Sequence, residues 1–136
     1  MVLIIGGMCQ GKHDFCKSEF PDAEVIEHYE ERIREELGKG KDPVSEAEKW
    51  LDDISATMEI DGTDSAIHLS MDSANRFKEQ LPRELVIIMN EVGSGVVPMD
   101  KDEREWREAV GRVSCSFAKR ADRVYRLLAG IPQRLK

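Results

Sequence analysis

The chain is poor in aromatic residues, cysteine and proline, and it has no long apolar run. Aromatic residues make up 6% of its 136 residues, and it contains three cysteines and five prolines. Cys9, Cys16 and Cys115 form no CxxC pair, which argues against a disulfide framework and a zinc knuckle. The apolar run Met1–Ile5 stops at Gly6, too short for a signal peptide or a membrane span. We therefore expect reduced thiols, a cytoplasmic location and no membrane partner.

Basic residues are also fewer than acidic residues. The chain has 20 Lys and Arg against 27 Asp and Glu, which gives a net charge of −7. Sequence-independent binding to nucleic acid needs a basic face, so we expect no nucleic-acid partner. With 40% hydrophobic residues, a chain of this length buries enough surface for one core. We therefore expect residues 1–136 to form a single nucleotide-binding domain, for the reasons that follow.

Apolar, β-branched runs alternate with amphipathic segments along the chain. The runs predict strands at 2–5, 23–26, 66–69, 85–89 and 124–129. The amphipathic segments predict helices at about 12–19, 29–37, 45–58, 73–81 and 102–121. Ser45 followed by Glu48 has the pattern of a capping box at the start of the third helix. This alternation is typical of an α/β fold with a mainly parallel sheet, whose ligands bind beyond the carboxyl ends of the strands.

A glycine-rich turn joins the first predicted strand to the first predicted helix. It reads G-x-x-x-x-G-K and consists of Gly6, Gly7, Met8, Cys9, Gln10, Gly11 and Lys12. Glycines let backbone N–H groups curl around phosphate oxygens, and a helix N-terminus adds partial positive charge. Lys12 supplies a cation to the outer phosphates. The turn therefore predicts a site for GTP or ATP, although a glycine turn without a ligand has the same pattern.

His13 follows the lysine, where the motif has a Ser or Thr whose hydroxyl ligates Mg²⁺. An imidazole is a poor ligand for this hard, oxygen-seeking ion. Phosphate binding by residues 6–13 is thus supported, while a role for Mg²⁺ is possible only with an incomplete ligand set.

A second glycine-rich loop follows the buried strand at 85–89. Asn90 and Glu91 stand at its start, and Gly93 and Gly95 follow before Pro98. A polar pair at the ligand edge of a sheet positions a nucleophile, a water or a metal-bound ligand. The alternative is a capped strand end with an ordinary glycine loop.

The C-terminal half resembles the adenosylcobinamide kinase/adenosylcobinamide-phosphate guanylyltransferase family of cobalamin biosynthesis. The segments that keep the family's spacing are Asn90–Pro98, Arg104, Arg107, Gly111-Arg112-Val113, Ala121-Asp122, Val124-Tyr125 and Gly130-Ile131-Pro132. The turn at residues 6–12 fits the family's opening. The resemblance implies a three-layer P-loop NTPase fold (RecA-like) with a mainly parallel central sheet, assembled as a homotrimer. It also implies phosphorylation of adenosylcobinamide by a nucleoside triphosphate, followed by GMP transfer from GTP through a guanylylated histidine.

The sequence departs from the family pattern where that chemistry is expected. Glu35 or Glu36 stands where the resemblance places the guanylylated histidine, and His28 is offset from that position. We interpret His28 as a surface histidine or a histidine at the start of a helix. Ser70 replaces the acid of a central strand. Asp72 is the nearest carboxylate, and it is either a metal ligand or the cap of the next helix.

These observations predict an adenosylcobinamide kinase that uses GTP or ATP and whose guanylyltransferase activity is doubtful. Lys12 and Glu91 are the candidate catalytic residues. Arg112, with the second loop, is a candidate contact to substrate or to a neighbouring subunit. The alternative is a catalytically degenerate nucleotide-binding sensor or partner protein of the same fold.

Overall fold

The computed structural model describes residues 1–60 and 84–136. The elements, in chain order, are β1 (Val2–Gly6), α1 (Lys12–Glu19), β2 (Glu24–Glu27), α2 (Tyr29–Gly38), α3 (Pro43–Ile60), β3 (Leu85–Asn90), α4 (Lys101–Arg120), β4 (Arg123–Leu128) and β5 (Ile131–Arg134). The predicted strand at 66–69, the predicted helix at 73–81, Ser70 and Asp72 lie outside the described residues.

The five strands form one sheet in the order β2-β3-β1-β4-β5. The first four are parallel, and β5 is antiparallel to β4. Gly6 pairs with Asn90 and with Leu127, so the ends of β1 and β3 stand side by side. The expected α/β fold with a mainly parallel sheet is confirmed, and both glycine-rich loops leave the sheet at its carboxyl edge.

Alternate residues of β1 and β3 face opposite layers, as the pleat of a strand requires. On one face, Leu3, Leu85, Ile87 and Met89 pack against α2, α3 and α4 through Tyr29, Ile33, Ala47, Leu51, Val110, Val113 and Phe117. On the other face, Val2, Ile4, Val86 and Ile88 form a second cluster with Cys16, Phe20 and Leu127. Burial on both faces explains the unbroken apolar runs and gives the three layers that the resemblance implied.

Two local predictions need correction. Helix α3 begins at Pro43 rather than at Ser45, because Asp42 accepts hydrogen bonds from the Ser45 N–H at 3.1 Å and its Oγ at 2.5 Å. The proposed capping box at Ser45 is therefore wrong. The sequence analysis also missed β5, which contains Pro132 and is exposed along its length. Pro is tolerated there because β5 is an edge strand.

Helix α4 fixes α2 against the carboxyl edge of the sheet. The Trp106 indole N–H donates to the Glu30 backbone oxygen at 2.8 Å, and the Arg34 guanidinium lies 3.9 Å from the centre of the Trp106 ring. These contacts position the first turn of α2 beside β3.

Over residues 1–60 and 84–136, no helix has the length and apolar character needed to cross a membrane.

Candidate functional site

The turn after β1 has the backbone shape of an anion cradle. Cys9 and Gly11 are both left-handed, with φ of 57° and 80°, and α1 begins directly after Gly11. Left-handed residues in a turn help successive N–H groups to face one anion, and a helix N-terminus attracts anions as well. A Cβ at Gly6 would lie 2.7 Å from the Leu127 backbone oxygen, so only glycine fits where β1 passes β4.

The Lys12 ammonium lies beneath this turn. Its Nζ donates to the backbone oxygens of Gly6 at 3.2 Å and Gly7 at 2.6 Å, and to Asn90 Oδ1 at 2.8 Å. The residue is 5% exposed. Burial lowers the pKa of Lys12 from its ordinary value, and the negative charge of Glu30 partly opposes that shift. A phosphate oxygen entering the turn would replace a neutral acceptor of this cation with a charged one.

Asn90 joins Lys12 to a buried carboxylate. Its Oδ1 accepts from Lys12, while its Nδ2 donates to Glu30 Oε1 at 2.5 Å and its backbone N–H donates to Glu30 Oε2 at 3.3 Å. Glu30 is 4% exposed. Asn90 was predicted from the sequence as a site residue, whereas Glu30 was not. The available signal was its position three residues before the core residue Ile33, on the same face of α2.

The turn between β4 and β5 contacts the candidate phosphate loop, the glycine-rich turn at residues 6–12, from outside. Gln10 Oε1 accepts the Ala129 backbone N–H, and the Gln10 backbone oxygen accepts that of Gly130 at 3.2 Å. A Cβ at Gly11 would lie 3.2 Å from the Gly130 Cα. The Gly-Ile-Pro segment near the C-terminus thus contacts the candidate phosphate loop directly through Gly130.

His13, Glu27 and His28 come together beside the same loop. His13 Nε2 lies 3.1 Å from Glu27 Oε1, and the rings of His13 and His28 are 6.1 Å apart. His28 is left-handed, with φ of 55°, and directly precedes the first residue of α2. The helix-start position expected for His28 is therefore confirmed, but its approach to His13 was not foreseen. Because two of the three groups are imidazoles, they do not fit Mg²⁺, which prefers oxygen ligands.

The second loop is held from both ends. Glu91 accepts hydrogen bonds from Arg126 Nε and Nη2, each at 3.1 Å, and from Ser94 Oγ at 3.2 Å. Arg104 donates to the backbone oxygens of residues 98 and 99, and Arg107 donates to that of residue 96. These two arginines, which the family spacing singled out, bind backbone of the loop itself.

Three other predicted site residues are exposed, unlike Lys12 and Asn90. Met8 is 76% exposed and Cys9 is exposed, although Cys9 lies near enough to interact electrostatically with Lys12. Arg112 is paired with Glu108 on the exposed side of α4. It lines a surface cavity of about 690 Å³ between α4 and the α2–α3 connection. Its assignment to substrate or a neighbouring subunit stays a prediction.

The comparison with protein families decides the relationship. Residues 44–135 match the family model described as cobinamide kinase / cobinamide phosphate guanyltransferase. The chain belongs to this cobinamide kinase / guanyltransferase family. The family has the P-loop NTPase fold, in agreement with the parallel sheet and the loop at residues 6–12. The matched segment begins after that loop, so the loop's assignment depends on its own sequence and geometry.

Curated relatives of the cobinamide kinase family match over part of their length. The chain is 36% identical over 58 residues to the bifunctional adenosylcobalamin biosynthesis protein CobU of Salmonella typhimurium, which covers 43% of this chain and 32% of that protein. It is 32% identical over 73 residues to CobU of Escherichia coli, covering 54% and 40%. It is 35% identical over 57 residues to CobP of Pseudomonas aeruginosa, covering 42% and 33%. The matches thus span less than half the length of these relatives.

Proposed function

We propose that the protein binds GTP or ATP on residues 6–13 and transfers its terminal phosphoryl group to adenosylcobinamide. The observation that carries the proposal is the position of Lys12: its ammonium lies under the turn, at the ends of β1 and β3. Phosphoryl transfer depends mainly on positioning and on neutralising charge, and a cradle of N–H groups with one lysine supplies both.

The second loop supplies the acceptor side of the reaction. Glu91 directly follows Asn90, and Arg126 fixes its carboxylate with two hydrogen bonds. We assign Glu91 to the acceptor hydroxyl, whose proton it takes as the new O–P bond forms and the nucleoside diphosphate leaves. Glu91→Gln keeps the shape but is a far weaker base, so we expect kcat to fall by at least about a hundredfold with nucleotide affinity unchanged.

The chemistry is tested by direct turnover. Purified protein is incubated with GTP or ATP, adenosylcobinamide and a series of divalent metals, and the corrinoid is separated and analysed for added phosphate. Phosphorylated product in wild type and its loss in Glu91→Gln supports the proposal. No product with any nucleotide and metal, in a protein that binds the nucleotide, contradicts the kinase assignment.

We assign no guanylyl transfer to the protein. Glu36, at a position where the resemblance places the nucleophilic histidine, is 6% exposed and paired with Arg32 at 3.0 Å. A carboxylate held in this way is a poor substitute for an imidazole aimed at an α-phosphate. Labelled GTP should therefore give no acid-labile protein–GMP adduct, and an adduct on His28 would refute this assignment.

A second candidate function is nucleotide binding without transfer, by a sensor or partner protein. The replacement of the metal-binding hydroxyl by His13 and the ion pair at Glu36 favour it. Calorimetry then shows nucleotide binding that depends on Lys12, while the turnover experiment shows no product.

Homotrimer assembly, which the resemblance implied, is tested by light scattering of the purified protein.

A further inference from the structure

We infer that His13, Glu27 and His28 bind a divalent ion of the later first-row transition metals, such as Zn²⁺ or Co²⁺, at the edge of the phosphate loop. One ligand atom from each residue lies within 4.8 Å of the other two. His13 Nε2 and Glu27 Oε1 are 3.1 Å apart, the separation of two neighbouring ligands about 2.1 Å from one ion.

The donor set selects the class of metal. Two imidazoles and one carboxylate suit Zn²⁺, Fe²⁺, Co²⁺ or Ni²⁺, whereas Mg²⁺ and Ca²⁺ take oxygen ligands. Two His and one carboxylate leave coordination positions open for water or substrate, as in catalytic zinc centres. The side chains of the three residues are 43%, 45% and 52% exposed. The His13 Nε2 atom itself is buried and has no hydrogen-bond partner among the described residues, as expected of a nitrogen free to take an ion.

The fold brings the ligands together from separate elements. His13 lies in the first turn of α1, Glu27 ends β2, and His28 directly precedes α2. In the sheet, β3 lies between β1 and β2, so the ligands stand on either side of its carboxyl end and of Asn90. This is the edge at which parallel sheets bind their ligands.

A buried carboxylate orients one of the two histidines. His28 Nδ1 lies 3.5 Å from Glu30 Oε1, which leaves Nε2 as the nitrogen we assign to the metal. Metal-bound histidines commonly direct their second nitrogen to a carboxylate, which fixes the tautomer and the ring orientation. Glu30 also accepts hydrogen bonds from Asn90, so the proposed metal site lies next to the network that holds Lys12.

One of the three ligands, His13, stands at the sequence position of the missing hydroxyl. His13 follows Lys12, where a Ser or Thr would hold the ion that accompanies a bound nucleotide. Because His13 directly follows the turn, we expect an open coordination position of the metal to be within reach of a bound phosphate oxygen. This link to the nucleotide rests on the proposed function, whereas metal binding itself does not.

Metal binding is tested on the full chain without nucleotide. Co²⁺ is titrated into wild type, three ligand variants and one control variant while the visible d–d absorption is recorded. His13→Ser and Glu27→Gln each remove one ligand, and His28→Asn removes another while keeping a residue that tolerates left-handed backbone. Glu35→Gln is the control, because it makes the same exchange at an exposed glutamate paired only with Lys39 among the described contacts.

We expect saturable binding in wild type and Glu35→Gln, displacement of Co²⁺ by Zn²⁺, and at least tenfold weaker binding in each ligand variant. Circular dichroism confirms that the variants fold. Equal Co²⁺ affinity in wild type and the ligand variants overturns the proposal, as does the absence of saturable binding. A thiolate charge-transfer band in the near ultraviolet overturns it too, because it places the ion on a cysteine.

A second measurement separates this inference from the proposed function. GTP or ATP is titrated in Co²⁺ or in Mg²⁺. We expect Co²⁺ to strengthen nucleotide binding to wild type more than Mg²⁺ does, and His13→Ser, which restores the hydroxyl, to reverse that order. Saturable Co²⁺ binding without any nucleotide binding leaves the metal site standing and refutes the proposed function. Nucleotide binding that is indifferent to Co²⁺ refutes the link between the two.

Discussion

Lys12 and Glu30 carry opposite charges, are buried, and are joined through Asn90. Removing one charge leaves the other uncompensated, so the two single substitutions should together lower the free energy of unfolding by more than the double substitution does. Both residues are 5% exposed or less. The Lys12–Asn90 bond of 2.8 Å and the Asn90–Glu30 bond of 2.5 Å keep the two charges close. Two unit charges bridged by one amide group attract by about 2 kcal/mol at an effective dielectric constant of about 20.

The prediction is tested by a double-mutant cycle in urea. Lys12→Met leaves the Glu30 charge buried without a cation, and we expect the free energy of unfolding to fall by about 3 kcal/mol. Glu30→Gln leaves the Lys12 ammonium buried without a counter-charge, and we expect a similar fall in the free energy of unfolding. In the double variant, the loss should be smaller than the sum of the single losses by about 2 kcal/mol. Single losses that add within about 0.5 kcal/mol would refute the coupling.

An exposed pair provides the matched control. Lys39 and Glu35 are four residues apart on α2, with a separation of 3.7 Å and side chains that are 65% and 71% exposed. Because water screens this pair, the same cycle with Lys39→Met and Glu35→Gln should give a coupling below about 0.5 kcal/mol. Equal couplings in the two cycles would mean that burial at the site has no electrostatic effect.

Three substitutions test the packing around the site by urea denaturation. The buried Tyr29 hydroxyl has no hydrogen-bond partner among the described residues, so Tyr29→Phe should stabilise the protein by about 1 kcal/mol. Burial raises the pKa of Tyr29 to about 12, so wild type should lose stability from about pH 10 to 12, where only the unfolded tyrosine ionises, and Tyr29→Phe should show a smaller loss. Gly6→Ala should cost at least about 2 kcal/mol, because its Cβ meets the Leu127 backbone oxygen at 2.7 Å. Gly111→Ala, on α4 with no atom within 4 Å of the added Cβ, should instead stabilise by about 1 kcal/mol, and a loss there would contradict the described packing.

The sheet was predictable where strands are buried on both faces. The runs at β1 and β3 are apolar because both faces pack against helices, and this local signal survives without knowledge of the fold. Strand β5 gave no such signal, since its four residues are exposed and one is proline. Its pairing with β4 depends on a turn whose left-handed residues are Ala129 and Gly130. An exposed edge strand of this kind is visible only once its partner is placed.

The glycine-rich turn of the site could be predicted from the sequence, but the hydrogen bonds among Lys12, Asn90 and Glu30 could not. The spacing of Gly6, Gly11 and Lys12 is a local pattern, so the turn could be found from sequence. Glu30 reaches Asn90 across 60 residues, and its burial depends on the packing of α2 against β3 and α4. Likewise, His13 and His28 meet only because β2 and β1 lie on either side of β3. Contacts of this kind follow from strand order, which composition and periodicity do not specify.

Isothermal titration of GTP and of ATP into wild type and Lys12→Ala tests the central claim, that the turn after β1 binds a triphosphate. We expect a Kd in the micromolar range or tighter for at least one nucleotide, and at least tenfold weaker binding in Lys12→Ala. Circular dichroism and urea denaturation confirm that the variant is folded during the titration. No binding by folded wild type, or equal affinity in the two proteins, would contradict it.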